Sequence, residues 1–250
     1  MLITESFVML NYPKTGSTFA RKVIKELYAS EPRRWFRRRR YCEELILPNI
    51  RHIGQPDQHG CYSQIPRRYR NREVMSIVRN PYERFLSGFE FRAWAINPLV
   101  AVEKIRERFP KFPEFTLDEY VDFCRFEQDS AVGPQTFQFM QLFGRELPRP
   151  LSERPSLKKA MNGLADVTFL RQENLNSELI SFLSRKGFSA ERTAFIEKHE
   201  PMNVTINKSP DRKSLWTPKA LDFVSTSESL LFQIFAELGI CYQPPRSLAA

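Results

Sequence analysis

The chain has 250 residues, 42% of them hydrophobic, and carries 38 Lys and Arg against 29 Asp and Glu, a net charge of +9. That length buries one sizeable core and demands no second domain. No run of about 18 apolar residues exists to cross a bilayer, the opening residues are too few and too acidic (Glu5) for a secretory leader, and Cys42, Cys61, Cys124 and Cys241 lack metal-ligand spacing, so the expectation is a cytoplasmic protein with reduced thiols, no metal site and anionic ligands.

The first element is SFVMLNYPKTGSTFARKVIKELY, Ser6 to Tyr28. Phe7 to Leu10 form a short continuous apolar run, as in a strand buried on both faces of a parallel sheet, and Pro13 ends it. Phe19, Val23, Ile24 and Leu27 then recur at helical spacing. The small loop between them therefore sits at a helix N-terminus, where free N–H groups and the helix dipole attract an anion. Gly16 allows close backbone approach, Ser17 and Thr18 carry hydroxyls, and Lys14 adds a point charge. The lysine precedes the only glycine, so this is not the triphosphatase loop G-x-x-x-x-G-K-[ST].

After the helix, six arginines fall between Arg33 and Arg40; taking six from +9 leaves +3, so much of the basic excess is one local patch. A solvated segment and a patch for an acidic acceptor or for membrane headgroups fit it equally. Interleaved Trp35, Phe36 and Tyr41 also allow nucleic acid, which ranks lower because no nucleic-acid module accompanies them. A short strand is predicted at Ile50 to Ile53, a second buried strand at Val74 to Val78, and a helix from Pro81 to Trp94. Leu99 to Phe143 is helical in character, with a capped start at Thr116. Pro148, Pro150 and Pro155 mark a loop from Gly144 to Ser156. A third strand follows at Asp166 to Arg171, then a helix from Leu175 to Lys186 stopped by Gly187, and a closing helix near Ser227 to Leu238. Strand, turn and helix recur, as a single-domain α/β fold with a helix-flanked parallel sheet and a nucleotide-kinase-like phosphate loop requires.

Three stretches resemble one family, the sulfotransferases that use 3′-phosphoadenosine 5′-phosphosulfate (PAPS). NYPKTGSTF, Asn11 to Phe19, is similar to their 5′-phosphosulfate loop, which implies Lys14 on the phosphosulfate with Thr15, Gly16, Ser17 and Thr18 wrapped around it. IVRNPYERFLSGF, Ile77 to Phe89, is similar to the family's 3′-phosphate site, which implies Arg79 and Ser87 converging on one phosphate. HGCYSQIP, His59 to Pro66, lies where many members carry a catalytic histidine, which makes His59 the expected base over His52 and His199. Some members have lysine just before that histidine; here the residue is Gln58. Weaker likeness implies cofactor contacts at Lys208 and Ser209 and an acceptor contact at Gln135.

By that resemblance the protein moves a sulfuryl group from PAPS to a hydroxyl acceptor, expected to be a glycan or glycolipid, without a metal. Exposed aromatics such as Trp35 and Trp94 suit sugar stacking. Two other classes compete: an ATP-dependent small-molecule kinase on the same fold, and a non-catalytic polyanion-binding module centred on Arg33 to Arg40.

Overall fold

The computed structural model describes residues 1–30, 40–48, 56–98, 100–128, 130–146, 151–199, 211–212 and 214–245. Its strands are β1 (Leu2–Thr4), β2 (Phe7–Met9), β3 (Cys42–Glu44), β4 (Leu47–Pro48), β5 (Pro56–Asp57), β6 (Glu73–Val78) and β7 (Thr168–Arg171). Its helices are α1 (Ser17–Ala29), α2 (Pro81–Phe91), α3 (Ala93–Ile96), α4 (Val102–Arg108), α5 (Leu117–Glu127), α6 (Pro134–Phe143) and α7 (Leu157–Gly163), then α8 (Leu175–Arg185), α9 (Ala190–Thr193), α10 (Phe195–Lys198), α11 (Pro218–Ser227) and α12 (Ser229–Glu237). The chain divides into two compact units: Met1–Arg79 with Gln141–Leu147 and Leu164–Asn203, and Asn80–Met140 with Pro148–Gly163 and Val204–Ala250.

The first unit holds one mixed sheet in the order β3-β1-β2-β6-β7. β2, β6 and β7 are parallel, with Phe7 opposite Glu73 and Met75 opposite Thr168. The predicted parallel sheet is thus present, extended by two antiparallel strands, β1 and β3, that the sequence patterning did not reveal. Three-residue strands are too short to display a period. The apolar runs are buried as their composition requires: Phe7, Val8, Met9, Ile77 and Val78 are fully buried. Against the sheet pack α1, through Phe19, Val23, Ile24 and Leu27, and α8, through Leu179, Phe182 and Leu183. Phe7 and Phe182 meet edge to face at 5.0 Å. Each such side chain stabilises the fold by roughly 1.5–3 kcal/mol. At the sheet margin, Glu73 accepts from Thr168 Oγ1 at 2.7 Å and from Lys186 Nζ. The predicted strand at Ile50 to Ile53 lies outside the described residues; β4 and β5, on either side of it, pair antiparallel.

The second unit is helical. Asn80 caps α2 by accepting from Tyr82 N at 3.0 Å, with Pro81 in the first turn where its missing N–H costs nothing. The predicted helix from Pro81 to Trp94 is interrupted at Arg92, which takes a left-handed φ of 57° and closes α2 with bonds to Gly88 O and Phe89 O. Its guanidinium donates to Pro113 O at 2.6 Å and Glu114 at 2.8 Å, which anchors the break. Thr116 and Glu119 form the expected capping box at the start of α5. A buried carboxylate organises α6: Glu228 accepts from Gln135 N (3.0 Å), Thr136 N (2.7 Å) and Thr136 Oγ1 (2.6 Å). Burial pushes that carboxyl up, and the three donors oppose the shift.

Candidate active site

The loop after β2 owes its shape to two backbone positions. Lys14 has φ 66° and Gly16 φ 86°, both left-handed. At Gly16 a side chain is disfavoured twice over, by the left-handed backbone and because a Cβ would lie a tight 3.1 Å from Leu175 Cδ2. Gly16 is the N-cap of α1 and supplies no capping side chain, so the first N–H groups of the helix face outward from the loop. Beneath them, the buried Tyr12 carbonyl accepts from Thr15 Oγ1 at 2.8 Å and Ser17 Oγ at 3.1 Å. A hydroxyl has a single proton, so in this arrangement Thr15 and Ser17 brace the loop, and its anion donors are the backbone N–H groups at the start of α1. This cradle, tight for a Cβ and rich in donors, fits an anionic group.

His59 is brought to the foot of the same loop. Its Nδ1 lies 2.8 Å from Asn11 O. A carbonyl only accepts, so Nδ1 carries the proton and, in the neutral ring, Nε2 is the basic nitrogen. The fully buried Asn11 also donates from Nδ2 to Gln58 O at 2.8 Å, so it grips the Gln58–His59 dipeptide by both its own main chain and its side chain. Sequence reading named Asn11 only as the first residue of the loop motif; an Asn buried at a strand end is the signal that was available. Arg79, at the end of β6, donates from Nη1 to Lys14 O at 3.3 Å. Lys14, Thr15, Gly16, Ser17, Thr18, His59 and Arg79 therefore share one neighbourhood in the first unit.

Beside the loop opens a cavity of ≈ 600 Å³, lined by Gly16 and Phe19 of α1, by Gln172 to Ser177 at the start of α8, and by Glu197 and His199. Gln172 lines it with an amide and Phe19 with an apolar wall, while Asn176 Nδ2 donates to Ile196 O at 3.2 Å.

The remaining expected residues lie in the second unit. Ser87 is buried in the middle of α2. Gln135 is 6% exposed, its carbonyl accepting from Arg84 Nη1 at 3.1 Å and its amide donating to Pro81 O at 3.0 Å, so both ends of the side chain serve the fold of their own unit. Trp94 is half-buried rather than an exposed platform: it stacks on Phe115 at 5.2 Å and packs with Phe89, Phe112, Tyr120 and Phe123 against the aromatic cluster of the α4–α5 region. Lys208, Ser209, Trp35, His52 and Arg33 to Arg39 lie outside the described residues; Arg40 donates to Gly187 O at 2.9 Å and packs over Phe188.

A family model described as the sulfotransferase family matches residues 3–141, more than half of the chain and inclusive of the loop, His59, Arg79, Ser87 and Gln135. The chain belongs to the sulfotransferase family. As a member, this sulfotransferase uses PAPS as its sulfuryl donor and a hydroxyl-bearing acceptor. A solved structure titled mouse sulfotransferase SULT7A1 complexed with PAP is similar over 93% of this sulfotransferase and 84% of that chain, at 14% identity and a TM-score of 0.39, a level that describes likeness and nothing more. No curated protein matches the chain. Among the described residues of the sulfotransferase, no helix is long and apolar enough to cross a membrane, and no group of three or more His, Cys, Asp or Glu is arranged to hold a metal ion.

Proposed function

We propose that this sulfotransferase, acting as one domain over residues 1–250, deprotonates its hydroxyl acceptor with His59 and holds the donor on the Lys14–Thr18 loop. The observation that carries this is the 2.8 Å contact from His59 Nδ1 to Asn11 O, which leaves Nε2 as the ring's base at the foot of the anion cradle. When bound, PAPS supplies the sulfuryl group and a good leaving group. Lys14 and the N–H groups at the start of α1 bind the negative charge of the phosphosulfate and stabilise its increase as the bond breaks. His59 Nε2 takes the acceptor proton, a role worth typically ~10²–10⁴ in rate. Arg79 and Ser87 are proposed for the 3′-phosphate, and Lys208 and Ser209 for further donor contacts. The cavity beside Gly16 is proposed for the adenosine, whose ring edge matches amides; Glu173 and Glu197 there repel phosphate and keep that end at the loop.

For the acceptor we propose a carbohydrate, on the likeness of the Ile77–Phe89 motif alone, since Gln135 and Trp94 are engaged within their own unit. The membrane or acidic-substrate role of Arg33 to Arg40 and a cytoplasmic location are proposals from composition.

The test has two parts. 3′-Phosphoadenosine 5′-phosphate (PAP) should raise the melting temperature more than ADP or ATP, since a ligand that binds only the native state stabilises it. His59→Ala should lose turnover while keeping the PAP-induced shift. Equal shifts with the three nucleotides refute the donor site, and near-normal turnover in the variant refutes the base. Salt-sensitive binding of polyanions that survives in the variant, with no turnover in the parent, would favour the non-catalytic module instead.

A further inference from the structure

Gln58 stands immediately before His59, and its side chain is gripped from α1. Arg21 Nη1 donates to Gln58 Oε1, while Arg21 Nη2 donates to Glu44 Oε1 of β3. Lys25 Nζ donates to the second Glu44 oxygen. Burial opposes ionisation of Glu44, but the Lys25 hydrogen bond and the charges of Arg21 and Lys25 outweigh it and hold the carboxyl below its ordinary range. The guanidinium is thus fixed at both ends, with only 13% of its side-chain surface exposed.

An amide has one accepting end and one donating end. With Oε1 committed to Arg21, the NH2 of Gln58 is turned toward the histidine, and Gln58 Nε2 lies 3.4 Å from His59 Nε2. The main chain of Gln58 is also fixed, its carbonyl accepting from Asn11 Nδ2 at 2.8 Å and from the Met1 amino group at 2.9 Å. Among the charged groups of the described residues, Arg21 is bonded to the Gln58 side chain and the Met1 amino group to its carbonyl, while Lys25 and Glu44 reach it through Arg21.

We propose that Arg21 is a positioning residue for the His59 base and acts through Gln58: by holding the amide oxygen it presents an N–H to His59 Nε2, which favours the neutral imidazole over the imidazolium. An N–H donor can bond only to a bare Nε2, whereas a protonated Nε2 meets it hydrogen to hydrogen. The arrangement places a cation, Arg21, behind the amide. The inference rests on His59 as the base.

The experiment titrates the imidazole of the full chain by ¹H–¹⁵N NMR from about pH 5 to 9, across the range where histidine changes charge. The chain has only three histidines, so the His59 signal is assigned by its loss in His59→Ala. Neutral His59 should carry its proton on Nδ1. Arg21→Met frees the amide to turn and should raise the His59 pKa. The isosteric Gln58→Glu, whose carboxylate accepts from an imidazolium, should raise it by about one unit or more. Lys25→Met removes the same charge from the same carboxylate without touching Gln58 and should move it less than Arg21→Met. An unmoved titration in both Arg21→Met and Gln58→Glu, a shift in Lys25→Met as large as in Arg21→Met, or a neutral ring protonated on Nε2 overturns the proposal. Turnover persisting in His59→Ala refutes the base itself, a result separable from the titrations.

Discussion

Replacing Gly16 by alanine adds one methyl group at the most constrained point of the loop. At φ 86° any L residue pays the left-handed penalty, about 1–2 kcal/mol. The new Cβ also meets the buried Leu175 Cδ2 at 3.1 Å, so Leu175 must move by a few tenths of an ångström, at a cost of about 0.5–1.5 kcal/mol if it leaves its rotamer. A loss of about 1.5–3.5 kcal/mol corresponds to roughly 3–14 °C in melting temperature for a chain of this size. Two controls separate the contributions. Gly239→Ala has a φ of 73° with nothing within 4 Å and reports the backbone penalty alone. Gly163→Ala has neither constraint and should be neutral or slightly stabilising. Thermal and urea unfolding measure stability, and PAP titration calorimetry measures the loop. Gly16→Ala should be the least stable and should bind PAP more weakly, while the controls bind it normally. If Gly16→Ala melts no lower than Gly239→Ala, the Leu175 contact is not the constraint described; if it matches Gly163→Ala, the left-handed turn is not required either.

Arg79→Ala removes the bond to Lys14 O together with the proposed phosphate contact, so PAP should weaken by about 10–100-fold and adenosine 5′-phosphosulfate by less. Equal losses in calorimetry would assign Arg79 to the loop rather than to the 3′-phosphate. Gly133→Ala drives a Cβ to 2.4 Å from the pinned Glu228 Oε1 and should cost about 1–3 kcal/mol in urea unfolding; an unchanged midpoint would mean that Glu228 is not held as described. Burial raises the Glu73 carboxyl, but hydrogen bonds from Lys186 and Thr168 lower it further, so its folded pKa lies below its unfolded one. The stability it contributes is present above the unfolded glutamate range and lost as pH falls through the folded value. Unfolding curves of Glu73→Gln should therefore show a shallower loss toward acid than the parent, and parallel acid limbs would refute the linkage.

Elements with a long or chemically marked signal were legible. The buried strands at Phe7 and Val74, the loop between Pro13 and Ser17, the Thr116 box and the Gly187 stop all appear where residue type alone puts them, because each depends on neighbours a few positions away. β1 and β3 were not, since three residues are too short to show a period, and the break at Arg92 was not, since its partner Pro113 lies 21 positions on. α11 was also overlooked, although Thr217 followed by Pro218 is a helix-start signal, and Thr217 Oγ1 does accept from Ala220 N at 3.1 Å. Gln135 and Trp94 are residue types that suit a ligand, and their side chains are engaged in a buried polar network and against an aromatic cluster, partners that no local pattern announces.

Local chemistry by itself determined the anion loop, its glycine, its lysine and the strand-to-helix frame that carries them, since left-handed backbone and helix N-termini are written in consecutive residues. Which nitrogen of His59 is basic was decided by Asn11 O, 48 positions earlier, and which way Gln58 points was decided by Arg21, 37 positions earlier. A hydrogen bond across such separations has no periodicity and no composition. It exists only once β2, β3 and α1 have packed and brought the partners within reach.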